Sequence, residues 1–165
     1  MRAAQGAIIA GLLVLSAPAA ATLKGDFAGL AICSKLRTFP QGSRPSACNL
    51  RAPLRGECRF SLVSNGMPIA YLIEDGMVLD KKSELRRGVA APYGLRRGES
   101  YASAAAKIKA STGLSSRHWN DSEEQGKSYL QSEDISCGAN KSYSIYVWFR
   151  NGAAEAVSVS TLPAF

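Results

Sequence analysis

Three dipeptides, Asn65-Gly66, Asp75-Gly76 and Asn151-Gly152, constrain the fold of this chain more than any other feature of it. Each offers the positive-φ residues that a tight hairpin turn requires, and each lies between apolar or alternating runs. Residues 59–64, 69–73 and 77–79 therefore read as three antiparallel strands joined by two tight turns. Residues 143–161 read as a further hairpin. Taking Arg150-Asn151-Gly152 as a three-residue loop, Phe149 is expected opposite Ala153, Val147 opposite Glu155, Ile145 opposite Val157 and Tyr143 opposite Val159. That register gathers Tyr143, Ile145, Val147, Phe149, Val157 and Val159 on one face, whereas a two-residue loop splits the two apolar sets, so the periodicity selects the longer turn. Tyr146, Trp148 and Arg150 then share the other face with Ala154, Ala156 and Ser158.

Between the two strand-rich regions, residues 99–112 have helical spacing, with Tyr101, Ala104, Ala105 and Ile108 on one stripe. Glu99 stands at the start, Lys107 and Lys109 near the end, and Gly113 offers a stop. Residues 22–36 carry Phe27, Leu30, Ile32, Cys33 and Leu36 at partly helical spacing and are expected to form a short helix. Residues 37–56 collect prolines and glycines and read as a loop. Residues 83–98 are basic and broken by Pro92, and short strands are expected near residues 117–120 and 127–131. The expected architecture is α+β, two-layer, with short helices packed on an antiparallel meander sheet. The segments 69–76 and 145–152 align at an offset of 76 residues (152 − 76 = 76). This raises two tandem helix-sheet units, 22–82 and 93–165, against the alternative of two ordinary hairpins.

Residues 1–21 have the anatomy of a secretory signal peptide. Met1-Arg2 is a short positive start, residues 8–15 are a compact apolar run, and Ala19-Ala20-Ala21 furnish small residues at the cleavage site. The run falls short of the ~20 apolar residues a membrane span needs. One compact domain, residues 22–165, follows, with no transmembrane anchor and a periplasmic or secreted location. No cysteine follows Ala21, so the site is not that of a lipoprotein. Export turns Cys33, Cys48, Cys58 and Cys137 into expected disulfides. Three pairings are open, and Cys33 with Cys48 and Cys58 with Cys137 are favoured, the first closing a Pro/Gly/Ser-rich loop and the second joining the two halves.

The formal net charge of +7 becomes +6 on loss of Arg2, and it is unevenly spread. Arg86, Arg87, Arg96 and Arg97 crowd into residues 81–97 beside one acid, Glu84, while Asp121, Glu123, Glu124, Glu133 and Asp134 concentrate the acids. Such segregation suits an anionic envelope component, or simply a solvated basic surface. Nucleic acid is not expected, because export argues against it and no basic run carries interleaved aromatics for base stacking.

The stretch Tyr93-Gly94-Leu95-Arg96-Arg97-Gly98-Glu99-Ser100, followed by a small-residue helix, antiparallel strands and a closing aromatic-strand/Asn-Gly/strand hairpin, resembles the helix-plus-sheet modules of secreted β-lactamase-inhibitory proteins. It is also similar to outer-membrane assembly lipoproteins of the SmpA/OmlA type. The resemblance covers about half of the chain after the leader and implies a protein-binding sheet face. This chain departs from the pattern in having Glu99 where an apolar residue is usual, in lacking a lipoprotein cysteine, and in not spacing its cysteines one pair per repeat.

No chemistry-bearing motif stands against a binding role. His118 is the single histidine; Ser115, Ser116 and Asp121 lie near it in sequence, but a triad is a spatial arrangement. Four paired cysteines leave no nucleophilic thiol, and neither a metal-ligand spacing nor a phosphate-cradling glycine motif is present, so no metal and no cofactor are expected. The leading expectation is a non-enzymatic, protein-binding or inhibitor-like module acting through Tyr146, Trp148 and Arg150, with Arg86, Arg87, Arg96 and Arg97 as further candidates. The alternatives are a small periplasmic hydrolase using His118 and an accessory protein that binds anionic envelope components through the basic segments.

Overall fold

The computed structural model describes residues 24–48, 54–121, 124–138 and 140–161. The signal peptide expected over residues 1–21 lies outside them. Nine strands form one antiparallel sheet: β1 (Arg44–Pro45), β2 (Glu57–Ser64), β3 (Met67–Glu74), β4 (Met77–Glu84), then, after the helix α1 (Tyr101–Thr112), β5 (Ser116–Asn120), β6 (Lys127–Ser132), β7 (Ile135–Gly138), β8 (Lys141–Arg150) and β9 (Ala153–Ser160). Of the described residues 46% are in strands and 12% are helical, so they are mostly sheet. Strand order is β1-β2-β3-β4-β9-β8-β6-β5, and β7 continues along the same edge of β8 that β6 occupies.

The expected turns form. Asn65-Gly66, Asp75-Gly76 and Asn151-Gly152 all have positive φ at both residues and link β2 to β3, β3 to β4 and β8 to β9. The last hairpin corrects the expected register. Arg150 pairs directly with Ala153 across a two-residue turn, and Phe149 with Ala154, yet Trp148 pairs with Ala156 because Glu155 is an extra residue, a β-bulge. Beyond the bulge Val147 faces Val157 and Ile145 faces Val159, so the expected apolar face survives through a different device. Ala154 moves from the outer face to the core. The β3–β4 hairpin does the same. Leu72 pairs with Asp80 and Ile73 with Val78, leaving Leu79 as the extra residue.

One face of the sheet is the core side. Ile69, Tyr71 and Ile73 from β3, Val78 from β4, Ile145, Val147 and Phe149 from β8, and Val157 and Val159 from β9 form a single cluster with Ala104 and Ile108 of α1. The helix stripe is therefore the expected one, although its start differs. Ser100, not Glu99, caps it by accepting the Ser103 amide, and Gly113, left-handed at φ 73°, ends it by donating to the Lys109 carbonyl.

Residues 22–36 do not form the expected helix over their described part, 24–36. Gly25, Gly29 and Cys33 all have positive φ, which a helix cannot contain. Gly29 is also closely packed: a Cβ there falls 2.0 Å from the Tyr71 hydroxyl, so that ring would have to shift to admit one. This segment instead folds over the core around a buried ion pair between Lys81 and Asp26. Asp26 also accepts the amides of Phe27 and Ile32, and the Lys81 ammonium donates to the carbonyls of Phe27 and Leu30. The hydroxyls of Tyr93 and Tyr143 bond the carbonyls of Gly25 and Lys24.

Both favoured disulfide pairings are wrong; the bonds are Cys33–Cys137 and Cys48–Cys58. Strand β1, inside the expected loop 37–56, explains the second. Arg44 pairs with Ser61 and Pro45 with Phe60, so the chain running on antiparallel to β2 arrives at Cys48 beside Cys58. The first follows from segment 31–36 lying along the start of β4, where Cys33 and Val78 share a backbone hydrogen bond and Lys35 bridges Met77, within reach of β7. No helix among the described residues is long and apolar enough to cross a membrane.

Candidate functional site

Alternation along the strands puts a second set of side chains on the sheet face opposite the core. On the β5–β6–β8 side the set is aromatic. Trp119 pairs with Tyr129, and Tyr129 pairs with Trp148 at 5.4 Å between ring centroids; Tyr146 lies 5.8 Å from Tyr129 and 6.0 Å from Trp148. Trp148 is fixed from the side, its indole N–H donating to the Ser158 hydroxyl at 2.9 Å. The Lys82 ammonium sits 4.9 Å over its ring, a cation–π contact that carries positive charge to the middle of the sheet.

Beyond Lys82 the face continues through Asp80, Leu72 and Arg59, and together with Tyr146 and Trp148 these border an open concavity of about 690 Å³. Burial raises the Asp80 carboxyl to about 6, while a hydrogen bond from Ser160 and the charges of Lys82 and Arg59 pull it back down. Burial also raises the Tyr146 phenol. The rim is charged. Arg150 pairs with Glu124 at 3.2 Å and with Glu155 at 3.4 Å, and Lys127 pairs with Glu124, whose carboxyl is lowered chiefly by the Lys127 hydrogen bond.

The expected binding residues divide three ways. Trp148 is half-buried and Arg150 exposed on this face, while Tyr146, 3% exposed, is sealed among its neighbours and holds their rings in place. Arg86, Arg87, Arg96 and Arg97 gather elsewhere, in the connection between β4 and α1. Trp119, 46% exposed, and Tyr129 join Trp148 across the strands, which residue spacing alone did not reveal. Their signal was present only as two short strands; the cross-strand register that aligns the rings is tertiary.

His118 lies on the other side of the sheet. It pairs with the core residue Leu130 and packs against Tyr101 of α1, ring centroids 4.0 Å apart. Of the residues that concentrate the acids, Glu124 serves the Arg150 and Lys127 pairs and Asp134 accepts the Ser144 hydroxyl; Glu123 lies outside the described residues. No family model matches the chain, and no curated protein or solved structure matches it significantly.

Proposed function

We propose that the chain is an exported, non-catalytic binding module that docks a protein partner on the outer face of its sheet, as an inhibitor-like domain does. The observation that carries this reading is the row Trp119, Tyr129, Trp148, left uncovered by the helix and held by strand pairing and the Ser158 hydrogen bond. Large rigid aromatics bury much area at little entropic cost, and arginines at the border add directional pairing. A leader over residues 1–21 and two disulfides agree with folding in an oxidising compartment such as the periplasm or the cell exterior.

We further propose that the fold is a two-layer α+β domain of two tandem units, 22–82 and 93–165, similar to β-lactamase-inhibitory and SmpA/OmlA-type modules. The offset of 76 that aligns the two hairpins also aligns their bulges, Leu79 with Glu155 (79 + 76 = 155). It makes the β4–β9 pairing self-consistent about Lys82 opposite Ser158 (82 + 76 = 158), as a two-fold axis at that pair requires. The first unit keeps its sheet and replaces the helix by segment 24–36.

Replacing Trp119 by Ala tests the binding role, because its ring is exposed at the edge strand and contributes little to folding. The melting temperature is expected to stay within a few degrees of wild type, while affinity for a partner isolated from envelope extract by the wild-type protein falls ~10-fold or more. Full affinity of W119A, together with full affinity of W148A, removes the sheet face from consideration.

A further inference from the structure

We propose that the connection between β4 and α1 is a second binding site, independent of the sheet face, that takes a phosphate-bearing anion. Arg86 and Arg87 at one end and Arg96 and Arg97 at the other lie ten residues apart in sequence, yet all four residues line one concavity of about 400 Å³, together with Gly88 and Val89. Among the described residues none of the four forms an ion pair, whereas Arg59 and Arg150 elsewhere both do.

The concavity is built by a braced loop. Its entry is tied to β9 by the Leu85 amide donating to the Glu155 carbonyl, and its exit by the Gly98 amide donating to the Ala154 carbonyl, both at 2.8 Å. Between them Leu95 is buried in the core, and Lys107 of α1 donates to the Gly94 carbonyl at 2.7 Å. Tyr93, at a positive φ of 59°, sets its ring edge-on to Phe27 with its hydroxyl on the Gly25 carbonyl. The loop backbone is thus anchored at both ends and in its middle, and it carries an exposed arginine pair near each end. Four like charges around one hollow repel one another, and a bound polyanion reverses the sign of that interaction.

Arginine selects the ligand class. A guanidinium fork matches two oxygens of a phosphate group bidentately, and pairs arriving from two sides suit a ligand with several phosphate oxygens. The backbone of the glycine-bearing stretch 88–90 lets such a group approach closely. A phosphate of this kind is found both in a soluble compound and in an anionic lipid headgroup.

The test uses the purified full chain and two probes: inorganic pyrophosphate by calorimetry, and vesicles of phosphatidylglycerol with phosphatidylcholine by flotation. R86Q/R87Q and R96Q/R97Q are compared with R37Q/R55Q, which removes the same charge at exposed positions elsewhere. Each loop variant is expected to weaken binding by ~10-fold or more, with R37Q/R55Q close to wild type. Pyrophosphate binding assigns the site to soluble phosphate compounds, and binding to vesicles alone assigns it to lipid headgroups. The proposal is overturned if neither probe binds, if R37Q/R55Q loses as much as the loop variants, or if only one arginine pair matters. Because W119A leaves all four arginines in place, it should bind both probes normally, so loss of the sheet-face reading and loss of this one are separate results.

Discussion

The β3–β4 and β8–β9 hairpins are built alike and finished differently. Both turn on a two-residue pair, Asp75-Gly76 or Asn151-Gly152, and both carry a bulge opposite the same point, Leu79 or Glu155. Both send alternate residues to the core: Ile69, Tyr71 and Ile73 in one, Ile145, Val147 and Phe149 in the other. Their outer faces share nothing. Where β3 presents Ala70, Leu72 and Glu74, β8 presents Tyr146, Trp148 and Arg150. Strand architecture is thus set by turns and inward residues, and the outward positions are left for recognition. The inner faces also diverge, since Lys81 and Ser83 occupy the places that Val157 and Val159 hold in the second hairpin, and Lys81 brings a buried charge.

That divergence gives the largest expected effect. Asp26 exists to pair with Lys81, so D26A leaves a buried ammonium without its partner and two amides without their acceptor. Urea denaturation should show a loss of about 3–5 kcal/mol. If the first hairpin can be made like the second, D26N/K81M recovers most of it, because an apolar side chain then fills the place of Val157. A double variant no more stable than D26A would mean that the pair does more than neutralise a charge.

Asp80 separates the hairpins next, its counterpart being Ala156. Its carboxyl titrates near 6 in the folded protein against 3.8 for an unperturbed aspartate, so the folded state holds the extra proton between those values. Stability should therefore fall as pH rises from about 4 to 6, and D80N should flatten that slope and gain about 2 kcal/mol at pH 7. Thermal melts across this range check the sign; a slope unchanged in D80N assigns it to another group.

The smallest effect compares the turns. Gly76 and Gly152 have nearly the same φ, 80° and 78°, so alanine is strained at either by about 1 kcal/mol. A Cβ on Gly152 meets open space, but one on Gly76 falls 2.6 Å from the Leu36 carbonyl oxygen, where the N-terminal segment crosses the turn. G76A should thus be the more destabilising of the two by a further ~1 kcal/mol or more, measured by denaturant midpoints. Equal losses would show that segment 24–36 yields without cost.

Much of the sheet was legible because its signals are local. Asn-Gly and Asp-Gly dipeptides, two-residue alternation and the stripe of Tyr101, Ala104, Ala105 and Ile108 each act within a few residues of themselves. The errors share the opposite property. Periodicity over residues 143–161 demanded that Val147 and Val157 share a face, but an odd-length turn and a bulge meet that demand equally well, and the bulge was adopted. The apolar residues of 22–36 are real core residues, as Phe27 and Ile32 show. Their spacing imitates a helix, while Gly25 and Gly29 serve a loop whose shape depends on Asp26 reaching Lys81, 55 residues away (81 − 26 = 55).

By itself the sequence determined β2 to β4, the helix and the β8–β9 hairpin, where they turn, and most of their inward residues, since those choices rest on backbone conformation and on water's exclusion of apolar surface; β1, β7 and the inward place of Ala154 were not among them. Tertiary structure alone decided what lies beside what. Cys33 meets Cys137 and Cys48 meets Cys58 because strand pairing delivers them there, and Trp119, Tyr129 and Trp148 form one row because two registers coincide. Four arginines from two segments surround one hollow because both ends of their loop are tied to β9. Contacts between distant residues depend on the summed geometry of everything between them, and no local pattern in the chain encodes that sum.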